Sequence, residues 1–260
     1  MVEKNGNYVP LGFALLPLKT ETCYTRMWNL LISKCRELKL TISPEHTHID
    51  FELAMHNSLR AVFPSAKIDC CRFHMGQSLW RKIQSVGLST QYKDKTTDIG
   101  KWLTMFFGLP ILPSNEVEDC FVEDVMSVAP TDSKCHQFSD YILETYISST
   151  AKFRPEMWSD VPCAELKRPK NGSESFHSHF NQQFYSAHPT IFAFVDVILK
   201  LQTTTYVKIR SLDLPANTRK NDHEKIDFLL DQYRQYSCGD ISRQQYVKSI
   251  GYKYGARTDI

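Results

Sequence analysis

Cys71 and His74 stand in the pattern Cys-x-x-His with His46 and His48 upstream, a donor set that raises zinc binding. No second Cys-x-x-Cys or His pair completes a zinc signature. A packed cysteine beside a hydrogen-bonded histidine is therefore the competing reading. Asp50 ends the run Thr47-His48-Ile49-Asp50 and precedes a helical pattern, so by spacing alone it fits a helix N-cap. Glu174 follows Asn171 by three residues, the spacing of a capping box with a glutamate at N3. Capping does not prevent either carboxylate from meeting a hard cation such as Mg²⁺, which prefers oxygen ligands. Two basic clusters complete the set: Arg81 and Lys82 after Trp80, and Lys167, Arg168 and Lys170 just before Glu174. Phosphate contacts from them would be independent of base sequence and sensitive to salt, and a solvated basic loop is the equal alternative for either.

The elements that must position these residues can be read from periodicity. Tyr8 to Leu16 (YVPLGFALL) reads as a buried strand, with Pro10 near its start or at an edge position. A helix follows from about Thr20, its N-cap, with Tyr24, Met27, Trp28, Leu31, Cys35 and Leu38 at helical spacing. A short strand ends at Asp50, and the next helix runs to Phe63 and stops before Pro64. Ala66 to Phe73 alternates like a strand, and the helix after it carries Met75, Leu79, Ile83 and Val86 on one face. This alternation predicts an α/β sheet.

From about Thr97 to Trp158 the periodicity is helical throughout, and Trp102, Phe106 and Phe107 read as core of that segment rather than a base-stacking platform. Another helix starts near Asn171, and a long one runs from Pro189 to about Arg210. Weaker helical patterns cover Ile226 to Tyr236 and Arg243 to Ile250.

Composition limits the classes available. The 260 residues are 42% hydrophobic and 12% aromatic, enough for a folded core. A net charge of only +2 argues against a small, highly basic DNA-binding module, though not against a local basic groove. The N-terminus has no basic-then-apolar leader, and no run of about 18 apolar residues offers a membrane span. The eight cysteines are scattered through apolar stretches and are expected to be reduced thiols in an intracellular chain without a membrane partner.

Four stretches in order resemble the Mutator-like element (MULE) transposase domain. VPLGFALLPLKTETCYTRMW is similar to that family's third core strand and following helix. HIDFELAM is similar to the strand that delivers the second catalytic aspartate, which falls on Asp50. CCRFHMGQSLWRKI resembles the Cys-x-x-His signature, at Cys71 and His74. RPKNGSESFHSHFN resembles the Asn-x-x-Glu segment, with its glutamate at Glu174. Pro169-Lys170 and Ser175-Phe176 depart from the family's usual Thr-Asn and Gly-Trp. The family's first two strands, with an Asp-Gly-Thr segment, should precede Tyr8, where seven residues stand and Glu3 is the sole carboxylate.

The resemblance implies an α/β fold with a ribonuclease-H-like (retroviral-integrase-like) core, N-terminally incomplete, over residues 1–92. An all-helical insertion at 93–165, a core helix carrying the glutamate at 166–188 and a helical C-terminal extension at 189–260 follow. It implies DNA cleavage and strand transfer through two ions, Mg²⁺ or Mn²⁺, held by Asp50 and Glu174 together with a first aspartate. Cys71, His74 and Asn171 take supporting roles, and Arg81, Lys82, Lys167, Arg168 and Lys170 are the candidate DNA contacts. The implied partners are transposon ends, target DNA and a second copy of the chain, and the implied compartment is the nucleus. With the first aspartate wanting, this chain is expected to be inactive, and a domesticated remnant that binds DNA or protein without cutting is the alternative.

Overall fold

The computed structural model describes residues 1–4, 7–162, 176, 179–184, 186, 189–210 and 220–256. In chain order the elements are β1 (Val2–Lys4), β2 (Asn7–Val9), α1 (Glu21–Glu37), β3 (His46–Ile49), α2 (Leu53–Val62), β4 (Lys67–Cys70) and α3 (Arg72–Ser85). There follow α4 (Ser89–Lys93), α5 (Asp98–Met105), α6 (Val117–Asp119), α7 (Ser133–Ile142), α8 (Ile191–Arg210), α9 (Lys220–Ser237) and α10 (Arg243–Tyr254). Short 3₁₀ and π turns punctuate the stretch from Leu109 to Met157. The chain divides into two compact units, Met1–Leu15 with Ala164–Phe228, and Leu16–Cys163 with Leu229–Ile260.

In the first unit β1 and β2 pair antiparallel, Val2 opposite Val9 and Lys4 opposite Asn7. The strand expected over Tyr8 to Leu16 is shorter than its apolar pattern suggests, because pairing ends at Val9. Pro10 has no N–H to offer a ladder, and Leu11, Phe13 and Leu15 beyond it are exposed. Phe13 nevertheless stacks on Phe180, ring centroids 5.6 Å apart, and Phe180 meets Phe184 and Phe194 edge-on. Lys208 of α8 donates to the Tyr8 carbonyl at 2.9 Å.

The second unit begins with α1, which starts where its cap predicts: the Thr20 hydroxyl accepts from Cys23 N–H, and Glu21 complements the positive helix end. Helix α1 packs on α2 through Trp28 and Phe63, edge to face at 5.8 Å, and through Asn57 donating to Glu21. Strands β3 and β4 pair in parallel, from His46 opposite Lys67 to Ile49 opposite Cys70, with α2 as the crossover. Helix α3 turns Met75, Leu79 and Ile83 inward, as their spacing predicts. The expected α/β alternation is thus present in this small parallel pair, while most of the described chain is helical.

No strand interrupts residues 97–158, all of which are described. Trp102, Phe106 and Phe107 are buried there; Phe138 meets Phe106 edge-on at 4.8 Å, and the Trp102 indole donates to the Val125 carbonyl. Helix α10 docks on the turn that follows α5 through a glycine: a Cβ on Gly108 would lie 2.1 Å from the Val247 carbonyl oxygen, so only glycine permits the approach. The seven described cysteines are free thiols, and no helix among the described residues is long and apolar enough to cross a membrane.

Candidate functional site

Because β3 and β4 run in parallel, their C-terminal ends share one edge of the sheet, the edge at which α/β crevices open. Asp50 follows β3 there, and Cys71 follows β4. The Cys71 N–H donates to the Ile49 carbonyl at 2.8 Å, extending the ladder one step and setting Asp50 beside the start of α3. Two helices, α2 and α3, begin from this edge, so backbone N–H groups and positive helix ends gather around it.

Asp50 is half-buried and is not the N-cap of α2, a role taken by Glu52 without any side-chain cap bond. Its carboxylate Oδ1 accepts from the Glu52 N–H at 3.2 Å, an Asx-type turn. Glu52 itself is engaged elsewhere, accepting from the Tyr24 hydroxyl at 2.6 Å and pairing with Lys19 at 3.2 Å. Burial first, and then the bond to Glu52, raise the Tyr24 hydroxyl well above its ordinary range.

His56 is the residue that sequence reasoning missed. It lies in the first turns of α2, fully buried at 0% exposure, and its Nε2 is 2.8 Å from the Asp50 carbonyl oxygen. A carbonyl only accepts, so Nε2 carries the proton and Nδ1 is the bare nitrogen. Nδ1 is buried without a hydrogen-bond partner. Desolvation holds the imidazole below its usual pKa and so in the neutral form. The Cys70 thiol lies 3.9 Å from Nε2, and burial, followed by the charge of Asp69, pushes it up to about 12. The sequence signal available was a lone histidine inside the apolar run Leu53-Ala54-Met55-His56.

Cys71 is buried at the N-cap of α3 and makes no side-chain cap bond. His74 stands one turn on, half-buried, its ring against Phe73 and its Nδ1 buried without a partner. The zinc reading that joined these two to His46 and His48 does not survive. His46 begins β3, at the opposite end of the strand from Asp50, and bonds Asp69 at 3.2 Å. Among the described residues no three of His, Cys, Asp or Glu converge as a metal site.

Farther along α3, Ser78 bonds the hydroxyls of Tyr146 and Tyr141 at 2.8 and 3.0 Å. Phe51 and Phe153 wall the same region, 5.4 and 6.2 Å from the Tyr146 ring. Arg81 is exposed on α3, whereas Lys82 is half-buried with its ammonium 4.8 Å from the centre of the Tyr141 ring. Lys167, Arg168, Lys170, Asn171 and Glu174 lie outside the described residues.

The described donor set suits a hard divalent cation in kind: a carboxylate at a sheet edge, with Oδ1 oriented by an amide and no hydrogen bond given to Oδ2 among the described residues. No curated protein and no solved structure matches the chain. The family comparison does match: residues 1–78, which carry Asp50 and the Cys71/His74 pair and stop short of Asn171 and Glu174, match the MULE transposase domain.

Proposed function

We propose that the chain is part of a DNA transposase whose β3–α2–β4–α3 segment belongs to a ribonuclease-H-like core, with Asp50 as one metal-binding carboxylate and Glu174 as another. The observation that carries this reading is the location of Asp50 within the family match, at the C-terminal edge of a parallel strand pair and beside the Cys71/His74 helix. In the complete site two Mg²⁺ or Mn²⁺ ions would activate the attacking water or 3′-hydroxyl and stabilise the departing oxygen in an in-line phosphoryl transfer. Asp50 and Glu174 would hold the ions. Cys71 and His74 would support the edge from α3, and Asn171 would take a supporting role beside Glu174 in the sequence.

The reading makes DNA the partner, with Arg81, Lys82, Lys167, Arg168 and Lys170 as phosphate contacts, and the nucleus the place of action. A second copy of the chain would be needed if two transposon ends are cut together. The chemistry of this class uses three carboxylates, and the motifs in this sequence supply two. Loss of a single electrostatic stabiliser can cost about 10²–10³ in rate, so the chain alone is proposed to cut DNA poorly or not at all.

The test is Mn²⁺-dependent nicking of supercoiled DNA by this chain and by a version carrying an Asp-Gly-Thr strand ahead of Tyr8. Nicking by the extended form that disappears with Asp50→Asn and with Glu174→Gln supports the reading. DNA binding without cleavage in either form would instead favour a domesticated, non-catalytic remnant.

A further inference from the structure

We propose that His56 is a positioning residue that holds Asp50 in its ligand-presenting conformation, an inference that rests on the reading of Asp50 as a metal-binding carboxylate. Asp50 is fixed from three directions: Ile49 before it is tied into the parallel ladder by Cys71 N–H at 2.8 Å, its own Oδ1 accepts from Glu52 N–H at 3.2 Å, and its carbonyl accepts from His56 Nε2 at 2.8 Å. Only the third tie comes from a side chain. It spans the first turn of α2, and so couples the carbonyl of the site residue to the body of the helix.

The surroundings make a polar residue at position 56 conspicuous. The ring is packed at 0% exposure, edge-on to Phe153 at 5.1 Å and against the Cys70 thiol. A leucine or methionine would fill that space without leaving a bare nitrogen, and the imidazole does leave one at Nδ1. What the imidazole adds, and an aliphatic chain cannot, is the bond to Asp50. A partner that orients a metal ligand is worth about 10–100-fold in metal affinity.

Three variants of the full chain test this: His56→Leu, His56→Gln, whose amide N–H₂ can reach the same carbonyl, and Asp50→Asn. The metal-free readout is exchange of the Glu52 amide, which donates to Asp50 Oδ1, followed by NMR. Exchange should quicken in His56→Leu and return toward the parent rate in His56→Gln. The metal readout is Mn²⁺ binding followed by EPR, expected about tenfold weaker in His56→Leu and nearly restored in His56→Gln. Thermal unfolding of each variant separates this from a general loss of fold, and His56→Met is the substitute if His56→Leu does not fold. Unchanged Glu52 exchange in the apolar variant overturns the inference whatever the metal does. Quickened exchange with Mn²⁺ binding indifferent to Asp50→Asn leaves the tie standing as geometry, and removes both the metal role of Asp50 and the purpose assigned to His56.

Discussion

Gly251 of α10 lies so close to Thr104 of α5 that a Cβ on the glycine would sit 2.0 Å from the Thr104 carbonyl oxygen. In an exposed helix interior, exchanging glycine for alanine stabilises by about 0.5–1 kcal/mol, because the unfolded chain loses freedom. Here the sign reverses. The atom met is backbone, which cannot swing aside, so α10 must lift away from α5 and uncover Tyr246, Val247 and Ile250, all now at 0% exposure. Gly251→Ala should cost about 1–3 kcal/mol or more, as overpacking does. Urea unfolding of the variant checks it, and an unchanged midpoint would mean that the helices do not meet in this way.

Arg243 fastens the start of the same helix. Its side chain donates to Glu123 at 2.7 Å and to Asp124, and it is only 19% exposed, as is Asp124 at 21%. Removing one partner of a desolvated pair strands the other charge, which costs more than the pair contributes. Glu123 is largely exposed, so its share is small. Arg243→Met is expected to lower stability by about 2 kcal/mol, with Asp124→Asn recovering part of it. A double-mutant cycle in denaturant gives the coupling directly, and strictly additive losses would dissolve the clamp.

Much of this could be read from residues alone, and what could not has identifiable causes. Thr20 capped α1 as its type and place predict, and Trp102, Phe106 and Phe107 turned out to be core, because helical spacing and large apolar side chains both report burial. The strand expected beyond Val9 does not form: β1 pairs only as far as Val2 opposite Val9, and Pro10 has no N–H to extend the ladder. The α10 segment read as a weak helix, since Gln244, Gln245, Lys248 and Gly251 dilute its pattern, yet Tyr246, Val247 and Ile250 are among its most buried side chains. Its burial is decided by a partner far away in sequence, which periodicity does not see. At the candidate site, Asp50, Cys71 and His74 stand in motifs the sequence displays, and the structure sets Asp50 beside the start of α3. The tie from His56 was not legible in the sequence, because it depends on an imidazole folding back over a helix start.

The thiols offer an independent check on burial. Desolvation, with nearby carboxylates assisting, pushes Cys70 and Cys120 up to about 12 and Cys135 to about 11. At pH 8 a thiol of pKa 12 is ionised to about one part in ten thousand, against roughly a quarter for an ordinary cysteine. Only the thiolate attacks iodoacetamide. Among the described cysteines the exposed Cys238 should therefore be alkylated first in the native chain, with Cys70, Cys120 and Cys135 following only under denaturant. Peptide mass spectrometry over time reads the order. Rapid native labelling of Cys70 would place the β4 edge in solvent and undo the packing described around His56.

Neighbouring basic residues on α3 should part company when tested for DNA binding. Arg81 is exposed, so its guanidinium is free to meet a phosphate at little cost to the fold, and Arg81→Gln should leave unfolding within about 0.5 kcal/mol of the parent. Lys82 already rests over the Tyr141 ring, whose hydroxyl belongs to the Ser78–Tyr146 network. Lys82→Gln should therefore lower stability by about 0.5–1 kcal/mol through the lost cation–π contact, whether or not DNA is present. A lysine or arginine that does contact phosphate also reduces the slope of log affinity against log salt by about one when removed. Fluorescence titrations of duplex DNA at several salt concentrations distinguish the two. If Arg81→Gln binds with the parent's affinity and slope, Arg81 is a solvated surface charge, and if Lys82→Gln does the same, neither residue of the proposed α3 pair meets phosphate.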